Sequence, residues 1–176
     1  MTKRFLCLLA VIIAMPAFGS ELGETIQADY DGHLADLFDH FHRNPELSTV
    51  EQETARRMAM ELSLAGFDVT EGVGGTGVVA TLENGDGPLV MMRADMDGLP
   101  VEENSGLENQ SRAQQIDPIT GNVVFVMHAC GHDVHITSLV GTARYMAANK
   151  DKWSGKLMLV VQPAEDRVLG ARAMRE

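Results

Sequence analysis

Four short apolar runs, Phe67–Glu71, Val78–Leu82, Leu89–Met92 and Lys156–Val161, alternate along this chain with segments of helical periodicity. Runs of this length read as strands, and the Gly-rich stretches 72–77 and 84–87 supply the turns between the first three. Residues 28–43 carry Leu34, Leu37, Phe38 and Phe41 at helical spacing, and Asn44-Pro45 ends that helix. Ser48 with Glu51 fits a capping box opening a second helix through about Ala65, with Gly66 as its stop. A third helix is expected over Val134–Ala148, and another begins near Val168. Helices alternating with apolar strands predict an α/β fold, a three-layer sandwich around a mostly parallel sheet.

The first residues carry an export signal. Lys3 and Arg4 precede the apolar run Phe5–Met15, Pro16 breaks it, and Ala17-Phe18-Gly19 offers small residues for cleavage. The run is too short to span a bilayer comfortably, so 1–19 is expected to be a signal peptide and 20–176 the mature domain, periplasmic or secreted. Its loss changes the formal charge from −11 to −13, because 12 basic residues then face 25 acidic ones. Such a surface repels nucleic acid and gives anionic lipid nothing to hold. Cys7 leaves with the leader, so the mature chain keeps only Cys130 and can form no internal disulfide. A lone thiol in an exported protein is explained by metal ligation, against the alternative of a buried core cysteine.

Three polar clusters carry the chemistry. Met127-His128-Ala129-Cys130-Gly131-His132-Asp133-Val134-His135 places three of the six histidines beside that cysteine within nine residues. A thiol and imidazoles at this spacing suit zinc, or manganese, cobalt or nickel. Gln162-Pro163-Ala164-Glu165-Asp166 follows an apolar strand with two adjacent carboxylates, one able to bind metal while the other moves a proton. Arg93-Ala94-Asp95-Met96-Asp97-Gly98-Leu99-Pro100 follows another strand. In open α/β sheets ligands gather outside the carboxyl ends of strands, so one shared site is expected.

These blocks, with His42-Arg43-Asn44-Pro45-Glu46-Leu47-Ser48 and Gly72–Val78, resemble the amidohydrolase branch of the aminoacylase and carboxypeptidase metallopeptidases. That group includes hippurate hydrolases, N-acyl-amino-acid amidohydrolases and auxin-conjugate hydrolases. The resemblance runs in family order over nearly the whole mature chain. It implies a two-metal catalytic domain with an inserted lid or dimerisation domain, a small N-acyl amino acid as substrate, and a homodimeric whole protein. Residue by residue, it makes Cys130, His132 and Asp166 metal ligands and Glu165 the general base for water attacking the amide carbonyl. The family usually has glutamate where Asp166 stands, and aspartate reaches one methylene less far.

Other residues keep two readings. Asp97 stands where related enzymes hold an aspartate that orients a metal ligand, and it equally suits a turn cap beside Gly98. His128 and His135 fit either supporting hydrogen bonds or structural roles, Asp133 fits a helix N-cap, and His33 and His40 are expected to face solvent. The polar stretch Glu103–Val124 reads as a long surface loop near the metal site. The resemblance also implies two further histidine ligands and a lid beyond Glu176, so these 176 residues are expected to be an amino-terminal piece, inactive alone. Two other functions fit the residues less closely. One is a closed structural zinc site on Cys130, His132 and His135; the other is a hydrolase using Cys130 as nucleophile.

Overall fold

A computed structural model describes residues 20–176, so the expected leader at 1–19 lies outside the described residues. The helices are α1 (Ser20–Asp29), α2 (Ala35–Arg43), α3 (Gln52–Leu64), α4 (His132–Ala148) and the single turn α5 (Gly170–Ala173). The strands are β1 (Asp68–Val73), β2 (Gly77–Asn84), β3 (Leu89–Asp95), β4 (Gln114–Ile116), β5 (Val123–Phe125) and β6 (Gly155–Gln162). Among the described residues no helix is long and apolar enough to cross a membrane.

The α/β fold is as expected, and the sheet is mixed. Its strand order is β1-β2-β6-β3, with β6 inserted between β2 and β3. The β3–β6 pair is parallel, while β1–β2 and β2–β6 are antiparallel. Register explains the core. Val78, Ala80 and Leu82 of β2 stand opposite Val161, Leu159 and Leu157 of β6, so all six point to one face and all are buried. On that face lie α3 with Ala55, Met58, Ala59 and Leu62, and α4 with Ile136, Leu139, Val140 and Ala143. Each set repeats at i, i+3, i+4 and i+7, the stripe a helix needs to cover a sheet. Leu37 and Phe41 of α2 extend the same core. The opposite face, with Val79, Thr81, Met158 and Val160, is half-buried.

The helix predicted over 28–43 is three continuous segments. A π-helical turn, Tyr30–Leu34, joins α1 to α2. Arg144 of α4 grips Asp29 through Nε (3.0 Å) and Nη2 (2.6 Å), tying α1 to the core.

Several local expectations change. The capping box at Ser48 does not form: α3 begins at Gln52, and Glu51 occupies the N-cap position without capping. Asp133 is not the N-cap of α4, because Gly131 takes that place at φ 77° and the helix opens at His132. Instead Asp133 accepts from Val134 N–H (2.9 Å) and bonds His42 Nδ1 (2.7 Å). His40 is exposed as expected, whereas His33 is half-buried against Glu61 Oε2 at 2.9 Å. The stretch 103–124 is no plain surface loop: it contributes β4 to the β4–β5 hairpin and buries Glu103, Gln110, Ser111 and Asp117.

Candidate metal centre

Parallel pairing of β3 and β6 puts their carboxyl ends side by side, with Asp95 opposite Gln162. The chain leaves β3 into Asp97 and leaves β6 into Glu165-Asp166, so the two acidic clusters meet above the same edge. The N-terminus of α4 closes the third side. Gly131 adopts a left-handed backbone that a side chain would resist, and this sharp entry sets Cys130 outside the helix and His132 in its first turn.

The ligand atoms of Cys130, His132 and Asp166 lie within 4.8 Å of one another. Cys130 Sγ is 3.5 Å from Asp166 Oδ1, while Asp166 Oδ2 is buried with no hydrogen-bond partner among the described residues. His132 is nearly enclosed, and its ring is set by Asp97. Nδ1 bonds the Asp97 carbonyl oxygen at 2.8 Å and lies 3.2 Å from Asp97 Oδ1, which leaves Nε2 facing the cluster. Asp97 Oδ2 in turn accepts from Ser48 Oγ (2.5 Å) and from the Asp166 N–H (3.1 Å). Asp97 thus ties His132 to the Glu165–Asp166 turn. Glu165 is more open, with Oε2 3.9 Å from His132 Nε2 and Oε1 3.8 Å from Arg93 Nη2.

A second group shares His132. Asp95, His132 and His135 also bring ligand atoms within 4.8 Å, with His135 Nδ1 on Asp95 Oδ1 at 2.6 Å. Arg93 Nη1 donates to the other Asp95 oxygen at 2.8 Å and Arg93 Nε to Gln162 Oε1 at 2.8 Å. Nothing in the sequence singled out Asp95 or Arg93 beyond their place in the block. His128 is buried, and among the described residues neither ring nitrogen has a partner at hydrogen-bonding geometry.

Electrostatics favour a cation here. Burial works against a charged His132, but the Asp97 hydrogen bond and the carboxylates of Asp95, Asp97 and Asp166 outweigh it and raise its pKa to about 9. Desolvation, the Asp166 contact and the nearby carboxylates all push the Cys130 thiol up. Burial opposes ionisation of Asp97, yet its bonds to His132, Ser48 and the Asp166 and Glu165 N–H groups hold it below the usual carboxylate range. Desolvation, helped by the charges of His132 and His42, takes His128 down to about 4 against the pull of Asp133. A sulfur, a ring nitrogen and an unpartnered carboxylate oxygen in a negative pocket fit a transition-metal ion.

The same facts weigh against two other readings. A thiol pushed up by carboxylates is the reverse of an activated cysteine nucleophile. The closed zinc site on Cys130, His132 and His135 does not assemble, because His135 groups with Asp95 and His132 while Cys130 groups with His132 and Asp166. An apolar cleft of about 800 Å³ between α1–α2 and α4, lined by Leu22, Ile26, Phe38 and Tyr145, contains none of these residues.

Fold and site together define an α/β domain whose sheet edge gathers groups that could hold a metal ion. Residues 91–176 match the model of Peptidase family M20/M25/M40, so the chain carries part of a domain of that family. It is 40% identical over 135 residues to an Arabidopsis thaliana IAA-amino acid hydrolase, covering 77% of this chain and 28% of that protein. It is 40% identical over 149 residues to a Campylobacter jejuni hippurate hydrolase, covering 84% of this chain and 36% of that protein. A Bacillus subtilis dinuclear metal binding peptidase from the M20 family superposes with a TM-score of 0.73 at 31% identity, over 84% of this chain and 39% of that one. The chain thus spans roughly a third of the length of the relatives it matches.

Proposed function

We propose that this chain serves the metal-dependent hydrolysis of an amide bond in N-acyl amino acids or related small amide and peptide substrates. The convergence of Cys130, His132 and Asp166 within 4.8 Å, with Glu165 beside them, carries this reading. Cys130, His132 and Asp166 would hold metal, zinc or manganese ahead of cobalt or nickel, with two ions in the whole protein. A bound divalent ion supplies Lewis acidity, polarising the amide carbonyl and making water acidic near neutral pH. Asp97 fixes the His132 ring so that Nε2 keeps its lone pair toward the cluster. Glu165, open enough to meet substrate, takes a proton from water and returns it to the leaving amine.

Hippurate and IAA-amino acid conjugates, named for the relatives above, set the substrate class to try first. The leader at 1–19 supports export to the periplasm or medium. The whole protein adds a lid domain and pairs as a homodimer, whereas the 176 residues alone turn over no N-acyl amino acid.

The test is Glu165→Gln in the whole, metal-loaded protein. Turnover of hippurate and other N-acyl amino acids is expected to fall by roughly 10²–10⁴-fold with metal content unchanged. Chelation abolishes turnover and added zinc or manganese restores it. Full turnover by Glu165→Gln, or by chelated protein, would overturn the mechanism. Robust hydrolysis by the 176 residues alone would overturn their assignment as an inactive portion.

A further inference from the structure

Glu51 is wholly buried, with 0% of its surface exposed, and among the described residues no lysine, arginine or histidine pairs with it. A carboxylate in such a place is costly unless hydrogen bonds replace its water. Three donors do so, each from a different part of the chain. The Thr49 N–H (2.9 Å) and the Ala164 N–H (2.7 Å) reach Oε1, and Thr76 Oγ1 (2.7 Å) reaches Oε2. Glu51 stands at the N-cap position of α3 but makes no cap there, so local helix chemistry does not account for its burial.

The Ala164 contact spans 113 residues of sequence and lands on an unusual piece of backbone. Ala164 has φ 46°, a left-handed conformation that a side chain makes unfavourable, so its surroundings must hold it there. The next two residues are Glu165 and Asp166. The orientation of the Ala164 peptide therefore sets the direction in which both carboxylates leave the turn. The Asp166 N–H is held separately, by Asp97 Oδ2 at 3.1 Å. Glu51 and Asp97 thus grip the two ends of one short acidic turn from within the protein.

We propose that Glu51 is a positioning residue: its buried carboxylate holds the Ala164 amide in the left-handed turn that aims Glu165 and Asp166 at the candidate metal centre. The inference rests on the roles proposed for those two residues. It makes a prediction that charge alone would not. Glutamine has the reach of glutamate, and its carbonyl oxygen accepts from both N–H groups while its NH₂ donates to Thr76 Oγ1. Aspartate keeps the charge but withdraws the oxygens by about 1.5 Å, which takes the Ala164 contact out of hydrogen-bonding range.

The experiment compares Glu51→Gln and Glu51→Asp in the whole protein by amide hydrogen exchange and by titration with Zn²⁺ or Mn²⁺. Glu51→Gln is expected to keep exchange over 163–166 and metal affinity within threefold of the parent. Glu51→Asp is expected to speed that exchange and weaken metal binding by tenfold or more, with exchange over β6 unchanged in both. On a hydrolysed substrate, Glu51→Asp lowers kcat by tenfold or more with KM within threefold. An aspartate variant as good as the glutamine variant, or losses that spread evenly through β6, would overturn the proposal. Should Glu51→Asp fail to fold, Thr76→Val removes one donor while leaving the carboxylate buried. Threefold faster exchange over 163–166 then supports the proposal, and unchanged exchange overturns it. If the whole protein hydrolyses no amide, the catalytic reading fails by itself, while exchange and metal titration still decide the role of Glu51.

Discussion

Gly170 and Asp97 both constrain where the acidic turn can sit. Gly170 lies so close to the Pro163 carbonyl that an added Cβ would overlap it, and backbone cannot step aside as a flexible side chain can. Gly170→Ala is expected to cost about 1–3 kcal/mol of stability and to weaken metal binding, because relief of the overlap moves the Pro163–Asp166 turn. Thermal denaturation and a metal titration check this, and unchanged values of both would show that the turn has room. Asp97 acts through His132 and the Asp166 N–H together. Asp97→Asn keeps the shape but removes the charge beside Nδ1, so metal affinity should drop by roughly 10–100-fold with little change in unfolding temperature. Affinity equal to the parent's would reduce Asp97 to a turn cap.

Among the elements, the β4–β5 hairpin departs most from its sequence appearance. Asp117 opens its turn, accepting from Ile119 N–H and Thr120 Oγ1, and Arg167 Nη2 reaches it at 2.8 Å from just beyond the acidic turn. The Arg167 hydrogen bond, helped by the Ile119 N–H, lowers the Asp117 pKa from 3.8 to about 2. A carboxylate with a lower pKa when folded adds stability above its unfolded value and loses it as pH falls through the folded one. The Asp117 contribution is thus complete above about pH 4 and gone by about pH 2. Asp117→Asn should lower stability at pH 7 and flatten its fall across that window, measured by urea denaturation at stepped pH. An acid limb as steep as the parent's would assign the effect to other carboxylates. The helices were more legible. The stripe in α4, Ile136, Leu139, Val140 and Ala143, is a property of neighbours within one turn or two. The start of α3 was not, because Ser48 and Glu51 both have better partners in distant segments than the helix end offers.

At the scale of the whole molecule, one apolar layer joins the sheet to α2, α3 and α4, and β6 runs through its middle. Leu159 is fully buried at the centre of that strand, between Ala80 and Met92. Leu159→Ala is expected to cost about 2–5 kcal/mol, the range for a leucine whose neighbours cannot collapse into the gap. Denaturant unfolding measures it, and a loss below about 1 kcal/mol would mean the core is looser than the packing shows. The same strand fixes the site, since its parallel pairing with β3 aligns the two acidic clusters.

The sequence by itself determined most of the helices and strands and the α/β class, because periodicity is local in the chain, and its compact motifs made Cys130, His132, Glu165 and Asp166 the expected set. It did not determine that β6 enters between β2 and β3, that Ser48 leaves its helix for Asp97, or that Asp95 gathers Arg93 and His135. Nor did it reveal that Glu51 supports a turn 113 residues away. Those outcomes belong to the tertiary structure: a buried polar group takes whichever partners the folded chain brings within about 3 Å, and sequence distance places no limit on which they are.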